Sequence, residues 1–388
     1  MEILIFSIPF TTAIFLLLFF RRETVWWEYL VLIVPSILFC LLIKTIMVSA
    51  NMSDTEYLGS YVTQITHYDP WDEMVEVEHT IQVPCGTDSN GNTIYTTEVY
   101  YTWEREYHSD KWSFITNDFK YEQFCSKEEY EKFKQRLNTH EVFRDMKRDY
   151  YKIDGDAHDI FWDGTPNHIY DITREHNYNN RVKAVQSNTI FKYGEISKNK
   201  AKELELFDYP ANKDGHQSPI LGRTVTDAEE QYIRYLNGTL GKEKEFRMYV
   251  LFFDNKDLEI SEMQKAYWQG GNKNEFVVCL GTQKDSVVWC NAFSWCDKPK
   301  LEVATRQYFI ENPKVNLVEY GKFIKPKINS DWERKEFNDF KYIKVGLTKG
   351  EYTWLLFIML AINIGISLYI IGNDFENRIK DDIKNKRY

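Results

Sequence analysis

Three apolar stretches constrain this chain more than any other feature. Ile3–Phe20 reads ILIFSIPFTTAIFLLLFF, with no charge inside it. At about 1.5 Å of rise per residue, such a helix covers roughly 27 Å, close to the ~30 Å of a bilayer's hydrocarbon core. Tyr29–Val48 reads YLVLIVPSILFCLLIKTIMV, with Lys44 near its far end, where a long stem reaches the headgroups. Tyr352–Gly372 reads YTWLLFIMLAINIGISLYIIG. Trp26, Trp27 and Tyr29, and then Tyr352, Trp354 and Tyr369, stand where aromatic belts form. Pro35 is tolerated in a span. Asn363 and Gly365 are of the types that bring spans together. A signal peptide has basic residues before its apolar core. Here Glu2 precedes and Arg21 and Arg22 follow, so the first stretch reads as a retained span. The lipid bilayer is therefore the first partner expected.

Basic residues in short loops set orientation. Arg21 and Arg22 occupy the first loop, and Arg378, Lys380, Lys384, Lys386 and Arg387 the tail. Three spans with both of these inside place residues 50–350 outside the cytoplasm; Lys344 and Lys349 oppose this slightly. The net charge is −10, and residues 1–50 and 351–388 each sum to zero, so the excess lies in the large polar region. Such a region repels phosphate backbones, which excludes nucleic acid as a partner. Mean hydropathy is −0.49, so most of the mass faces water. The six cysteines contain no C-x-x-C pair. Five lie in the polar region, so they cannot all pair; a single bridge such as Cys85–Cys125 stays compatible with an oxidising compartment.

Within the polar region, Tyr57–Tyr68 and Met74–Val83 read as strands. Ser89-Asn90-Gly91-Asn92 predicts a hairpin turn into a strand over Thr93–Trp103. Ser126-Lys127-Glu128-Glu129 is a capping box that opens a helix to about Leu137. Residues 150–222 read as short strands and ordered loops. From Asp227 the order becomes helix (Asp227–Leu240), strand (Phe246–Phe253), helix (Glu259–Gln269) and strands (Phe276–Gly281, Ser286–Trp295), a layered α/β pattern. Val303–Ile310 fits a helix or a strand, and Asp331–Phe340 an amphipathic helix.

The densest set of metal-ligand types is Asp154, Asp156, His158 and Asp159, followed by Asp163-Gly164, His168, Glu175 and His176. The spacing matches no EF-hand loop or zinc helix, and Asp-Gly pairs are turn formers first. His67 and Asp69, with Asp72, Glu73 and His79, flank Pro70-Trp71 as a candidate acid–base pair, against the plainer reading of a solvated strand edge. Gly270-Gly271-Asn272-Lys273-Asn274 resembles a phosphate-cradling loop, but it follows a helix instead of preceding one and reads better as a helix cap. Asn51 and Asn237 open glycosylation sequons.

Around Tyr267–Leu280 (YWQGGNKNEFVVCL) the chain resembles the TPM-domain family: a helix ending in a tryptophan-glycine turn, a polar loop with Asn, then an apolar strand. The resemblance covers residues 225–320 and includes the strand Phe246–Phe253 and the acidic segment Asp254–Glu259. It implies an extracytoplasmic module on a C-terminal span. It also implies either upkeep of a membrane complex or metal-dependent phosphate-ester hydrolysis, with Asp254 and Asp257 as ligands. Residues 54–345 are also similar to an uncharacterised membrane-protein family of phages and prophages, through Glu56-Tyr57-x-Gly59, Asp154-Gly155-Asp156, Trp162-Asp163-Gly164, His176-x-Tyr178-x-Asn180-Arg181-Val182 and Gly270–Glu275. The cysteine typical of that family after its second hairpin strand is absent here.

These readings converge on an α+β membrane protein. A transmembrane helical hairpin fills residues 1–49 and a third span residues 352–372. Between them lie a β-rich module (50–222) and an α/β TPM-like module (223–346), and residues 373–388 form a cytoplasmic tail. The expected role is non-enzymatic binding or assembly in the cell envelope, with protein partners there, possession by a phage being compatible. The alternatives are a TPM-type metal-dependent hydrolase and a subunit of a larger membrane complex. No cofactor is called for unless the acidic clusters hold a divalent cation.

Overall fold

The computed structural model describes residues 2–20, 24–137, 140–146, 155–185, 193–210, 218–284, 286–336 and 340–373. Asp154, the basic first loop and the charged tail lie outside the described residues. The chain separates into two compact units. One comprises residues 1–56, 177–194 and 335–388; the other comprises residues 57–176 and 195–334.

The first unit is built on three helices, α1 (Glu2–Phe19), α2 (Trp26–Met52) and α10 (Lys349–Asn373), each long and apolar enough to cross a membrane. They pack on one another through Ile5, Ile8, Cys40, Leu355 and Met359 near one end and Ala13, Leu16, Leu32 and Ile370 near the other. Their outer faces expose Leu18, Phe19, Leu38, Trp354 and Leu368. Asn363 is buried beside Ser36 of α2, and its amide donates to the Met359 carbonyl at 2.8 Å. Gly365 is not a close-approach position, since a Cβ there would meet nothing within 4 Å. Lys44 ion-pairs with Glu2 of α1.

The second unit holds two larger sheets and a lone ribbon. In chain order its strands are β1 (Ser53–Tyr68, begun in the first unit), β2 (Trp71–Thr87), β3 (Thr93–His108), β4 (Lys111–Thr116), β5 (Gln123–Cys125), β6 (Glu141–Arg144), β7 (Ala157–Phe161), β8 (Asp171–Asn179), β9 (Ile220–Leu221), β10 (Arg247–Asp254), β11 (Glu275–Gln283) and β12 (Ser286–Phe293). The helices between are α3 (Lys127–Arg136), α4 (Arg181–Ala184, in the first unit), α5 (Lys198–Glu203), α6 (Asp227–Lys244), α7 (Glu259–Tyr267), α8 (Pro299–Glu311) and α9 (Leu317–Asp331). The first sheet runs β5-β4-β1-β7-β6 with β8 also on β1, the second β12-β11-β10-β9, and β2 pairs with β3.

The second sheet is a covered α/β layer. β10 runs parallel to β9 and β11, and β12 closes antiparallel. Strands buried on both faces must be apolar throughout, which the run FRMYVLFF satisfies. Met248, Val250, Phe252, Phe276, Val278 and Leu280 face a core shared with α6, α8 and α9. The intervening Tyr249, Leu251, Phe253, Val277 and Cys279 face a second core under α5 and α7. Asn237 of α6 clamps β10: its amide donates to the Met248 carbonyl at 3.0 Å and accepts the Met248 N–H at 2.7 Å. A sequon asparagine so buried and so used is closed to glycosylation in the folded chain. Backbones touch where β1 crosses α6: a Cβ on Gly59 would lie 2.0 Å from the Asn237 carbonyl oxygen.

Elements expected from the sequence mostly form. The capping boxes at Ser126 and Thr226 open α3 and α6. Val303–Ile310 is helical, within α8. The amphipathic helix expected over Asp331–Phe340 is corrected: the helix is α9, ending at Asp331. Trp332 turns extended into the core, where its indole donates to the Lys244 carbonyl at 3.0 Å. Pro326 lies inside α9, but burial of Leu317, Tyr320, Ile324 and Ile328 on one helical face outweighs its cost. All six cysteines, Cys85 and Cys125 included, are free thiols.

Candidate functional site

Histidines and carboxylates gather where β1 hands over to the β2–β3 hairpin. Antiparallel pairing sets His67 of β1 opposite Trp112 of β4 and His158 of β7, and β6 sets Phe143 opposite His158. The four rings form a row across one sheet face. His67 stacks on Trp112 at 5.7 Å and on His158 at 5.8 Å, and Phe143 meets His158 edge-on at 5.4 Å. Carboxylates surround the row. His158 Nδ1 lies 2.7 Å from Glu141 and its Nε2 3.1 Å from Asp69. Asp69 and Asp110 sit 4.0 and 3.7 Å from the two nitrogens of His67. Burial works against the charged imidazole of His158, but the hydrogen bonds and charges of Asp69 and Glu141 together win and raise its pKa above 6.5. Carboxylates at both ring nitrogens suit a doubly protonated ring.

Gly155 and Asp156, the described part of the Asp154-Gly155-Asp156 motif, fold onto this row. Asp69 donates its N–H to the Asp156 carbonyl at 2.9 Å, and a Cβ on Gly155 would fall 1.7 Å from the Asp69 carbonyl oxygen. Only glycine permits that approach. Asp156 itself accepts the Met146 N–H at 3.2 Å. Asp159 points to the opposite sheet face, buried, where Arg144 grips it at 2.9 and 3.2 Å and Thr66 donates at 2.6 Å. Burial alone would raise its pKa; Arg144 and Thr66 reverse this and lower it. With its oxygens so engaged, Asp159 is a structural anchor here. Asp163-Gly164 is a turn: Asp163 accepts from Thr165 N–H at 2.9 Å, and Gly164 has φ of +84°.

One trio among the described residues brings three ligand atoms within 4.8 Å of one another: Glu73, Glu106 and His108. Glu73 and Glu106 are directly opposed across the hairpin, and His108 Nε2 lies 2.7 Å from Glu73. Trp71, fully buried, stacks on His108 at 4.7 Å, with the Lys111 ammonium 4.6 Å above its ring. One imidazole and two carboxylates are the donors a divalent cation takes. Sequence reasoning singled out Glu73 but missed Glu106 and His108, which only the strand register brings to it.

The hairpin itself is exposed along most of its length. Its turn is held by the Asp88 carboxylate, which accepts from Asn90 and Asn92 N–H, each at 2.8 Å, and Gly91 has φ of +83°. Strands of this length reach about 50 Å. Tyr95, Val99, Tyr101, Trp103 and Tyr107 share one face, Tyr101 and Tyr107 being 57% and 67% exposed. The opposite face carries Glu73, Glu98, Glu104 and Glu106, with His79 and Tyr100.

The remaining sequence candidates lie elsewhere. Asp254, at the end of β10, accepts from the Thr282 hydroxyl. The Asp257 carbonyl accepts the Ile260 N–H at 3.1 Å, starting α7. The Gly270–Asn274 loop already holds an anion of its own: Asn272 N–H donates to Glu275 at 2.8 Å. Burial pushes the Glu275 carboxyl up in pKa, and it keeps Tyr209, which hydrogen-bonds it, far above the usual phenol range. This is a closed structural network. No family model, curated protein or solved structure matches the chain.

Proposed function

We propose that this chain is a membrane-anchored binding protein of the cell envelope, part of a larger membrane complex, with its acidic domain outside the cytoplasm and the β2–β3 hairpin as its contact element. The observation that carries the reading is the exposed aromatic face of that hairpin. A two-stranded ribbon is marginal in water by itself, and contiguous exposed apolar surface marks interaction sites. Tyr and Trp are the residue types that partner interfaces favour. Membrane anchorage is supported by three long helices whose outer faces carry leucine, phenylalanine and tryptophan. The outside placement is supported by the basic first loop and tail.

Cys85 offers a native reporter, being exposed on β2. In intact cells an impermeant maleimide is expected to label the chain, and Cys85→Ser to remove that label. Labelling that requires permeabilised cells refutes the outside placement. A photoreactive side chain at Tyr101 is expected to give a discrete protein adduct in membranes, and one at Glu98 on the opposite face none. Equal adducts, or none from either position, contradict a contact role for the aromatic face.

A further inference from the structure

Resting on that reading, we propose that the aromatic face of the hairpin docks an arginine- or lysine-rich extended segment of a partner protein. The hairpin, residues 71–108, carries eight carboxylates and a single arginine. The acids are placed in register with the rings. On the aromatic face Asp72 stands directly opposite Tyr107, Glu76 opposite Trp103 and Glu78 opposite Tyr101. Two of these pairs, at Glu76 and Glu78, stand two residues and about 7 Å apart along the strand, and the third, at Asp72, lies four residues and about 13 Å beyond Glu76, with Met74 opposite Arg105 between them. A ring face attracts a cation through its quadrupole, and a carboxylate beside it supplies the counter-charge. The ~7 Å spacing also separates alternate side chains of any extended peptide, so the Glu76 and Glu78 pairs can each meet one basic side chain. The chain's own Arg105, on this face between Trp103 and Tyr107, ion-pairs with Asp72, so a carboxylate of this face already takes a guanidinium.

The same charge excludes other occupants. A second copy would set one acidic hairpin against another. Anionic lipid and nucleic acid are repelled for the same reason. Neutral lipid would accept the rings but gains nothing from the carboxylates in register with them.

The test uses the full chain in detergent and a fluorescent alternating Arg-Thr peptide, with the matching Glu-Thr peptide and neutral-lipid vesicles as comparators. Saturable binding of the Arg-Thr peptide, weakened by salt, is expected. Glu76→Gln with Glu78→Gln, and separately Tyr101→Ala with Tyr107→Ala, are expected to weaken it by about tenfold or more. Glu98→Gln with Glu104→Gln removes the same charge from the opposite face and is expected to change it by less than about threefold. Unchanged melting temperatures establish that the variants fold. Equal losses on both faces, binding of the Glu-Thr peptide, or recruitment of the vesicles in place of the peptide would each overturn the proposal. If the Arg-Thr peptide fails while the Tyr101 photoadduct persists, the basic partner is refuted and the binding reading stands; loss of both ends both.

Discussion

Strands β11 and β3 are made of similar residues and have opposite fates. β11, EFVVCLGTQ, is buried along nearly its whole length between two helical layers. β3, TIYTTEVYYTWEREYH, is exposed along nearly all of its length. Aromatic and β-branched side chains favour both. What separates them is coverage: parallel strands need helices on both faces, whereas a hairpin's pairing and register are set locally by its turn. The apolar surface of β11 holds the fold together. That of β3 contributes little to folding and is left for something else to cover.

The largest expected effect sharpens this contrast. Phe276→Ala in β11 should cost roughly 3–5 kcal/mol, a large share of the roughly 5–15 kcal/mol that stabilises a typical domain. Tyr101→Ala in β3 should stay within about 0.5 kcal/mol, as exposed substitutions do. Denaturant unfolding of the full chain in detergent compares them, and similar losses would erase the distinction.

A smaller effect concerns the hairpin root. Glu73 and Glu106 are directly opposed, a destabilising arrangement for like charges. Glu106→Gln should therefore slow amide exchange in the root, by the equivalent of a few tenths of a kcal/mol up to ~1. Faster exchange would mean that this pair is held together by something the substitution removes.

The smallest effect is a pH dependence. The folded pKa of His158 is raised, so its contribution is complete below its unfolded value of 6.5 and disappears as pH rises through the folded value. The melting temperature should fall modestly across that window, and His158→Gln should flatten that part of the profile. An identical slope in the variant would assign the effect elsewhere.

Much of the fold was legible because local chemistry agreed with the tertiary structure. Asn90-Gly91 announced the hairpin, Ser126 announced its helix, and the apolar run at β10 announced a covered strand. The helix α9 drew no expectation from the sequence; its interior Pro326 is a local helix-breaking signal that packing overrules. The site was legible only in halves. His67 with Asp69, and Asp156 with His158, each stood out, but 91 residues separate His67 from His158, and only the β1–β7 register joins them. Glu106 and His108 were hidden for a subtler reason. Counting outward from the Asn-Gly turn gives their partners only if the irregularity between Pro84 and Gly86 is known, because a one-residue shift moves every side chain to the other face.

The most direct test of the account is to excise the hairpin between Trp71 and His108, bridge the gap with a short glycine-serine link, and follow thermal unfolding of the remaining chain in detergent. The account predicts a cooperative transition within a few degrees of the intact protein. A chain that no longer melts cooperatively would show that the ribbon belongs to the core, and would contradict its assignment to a partner.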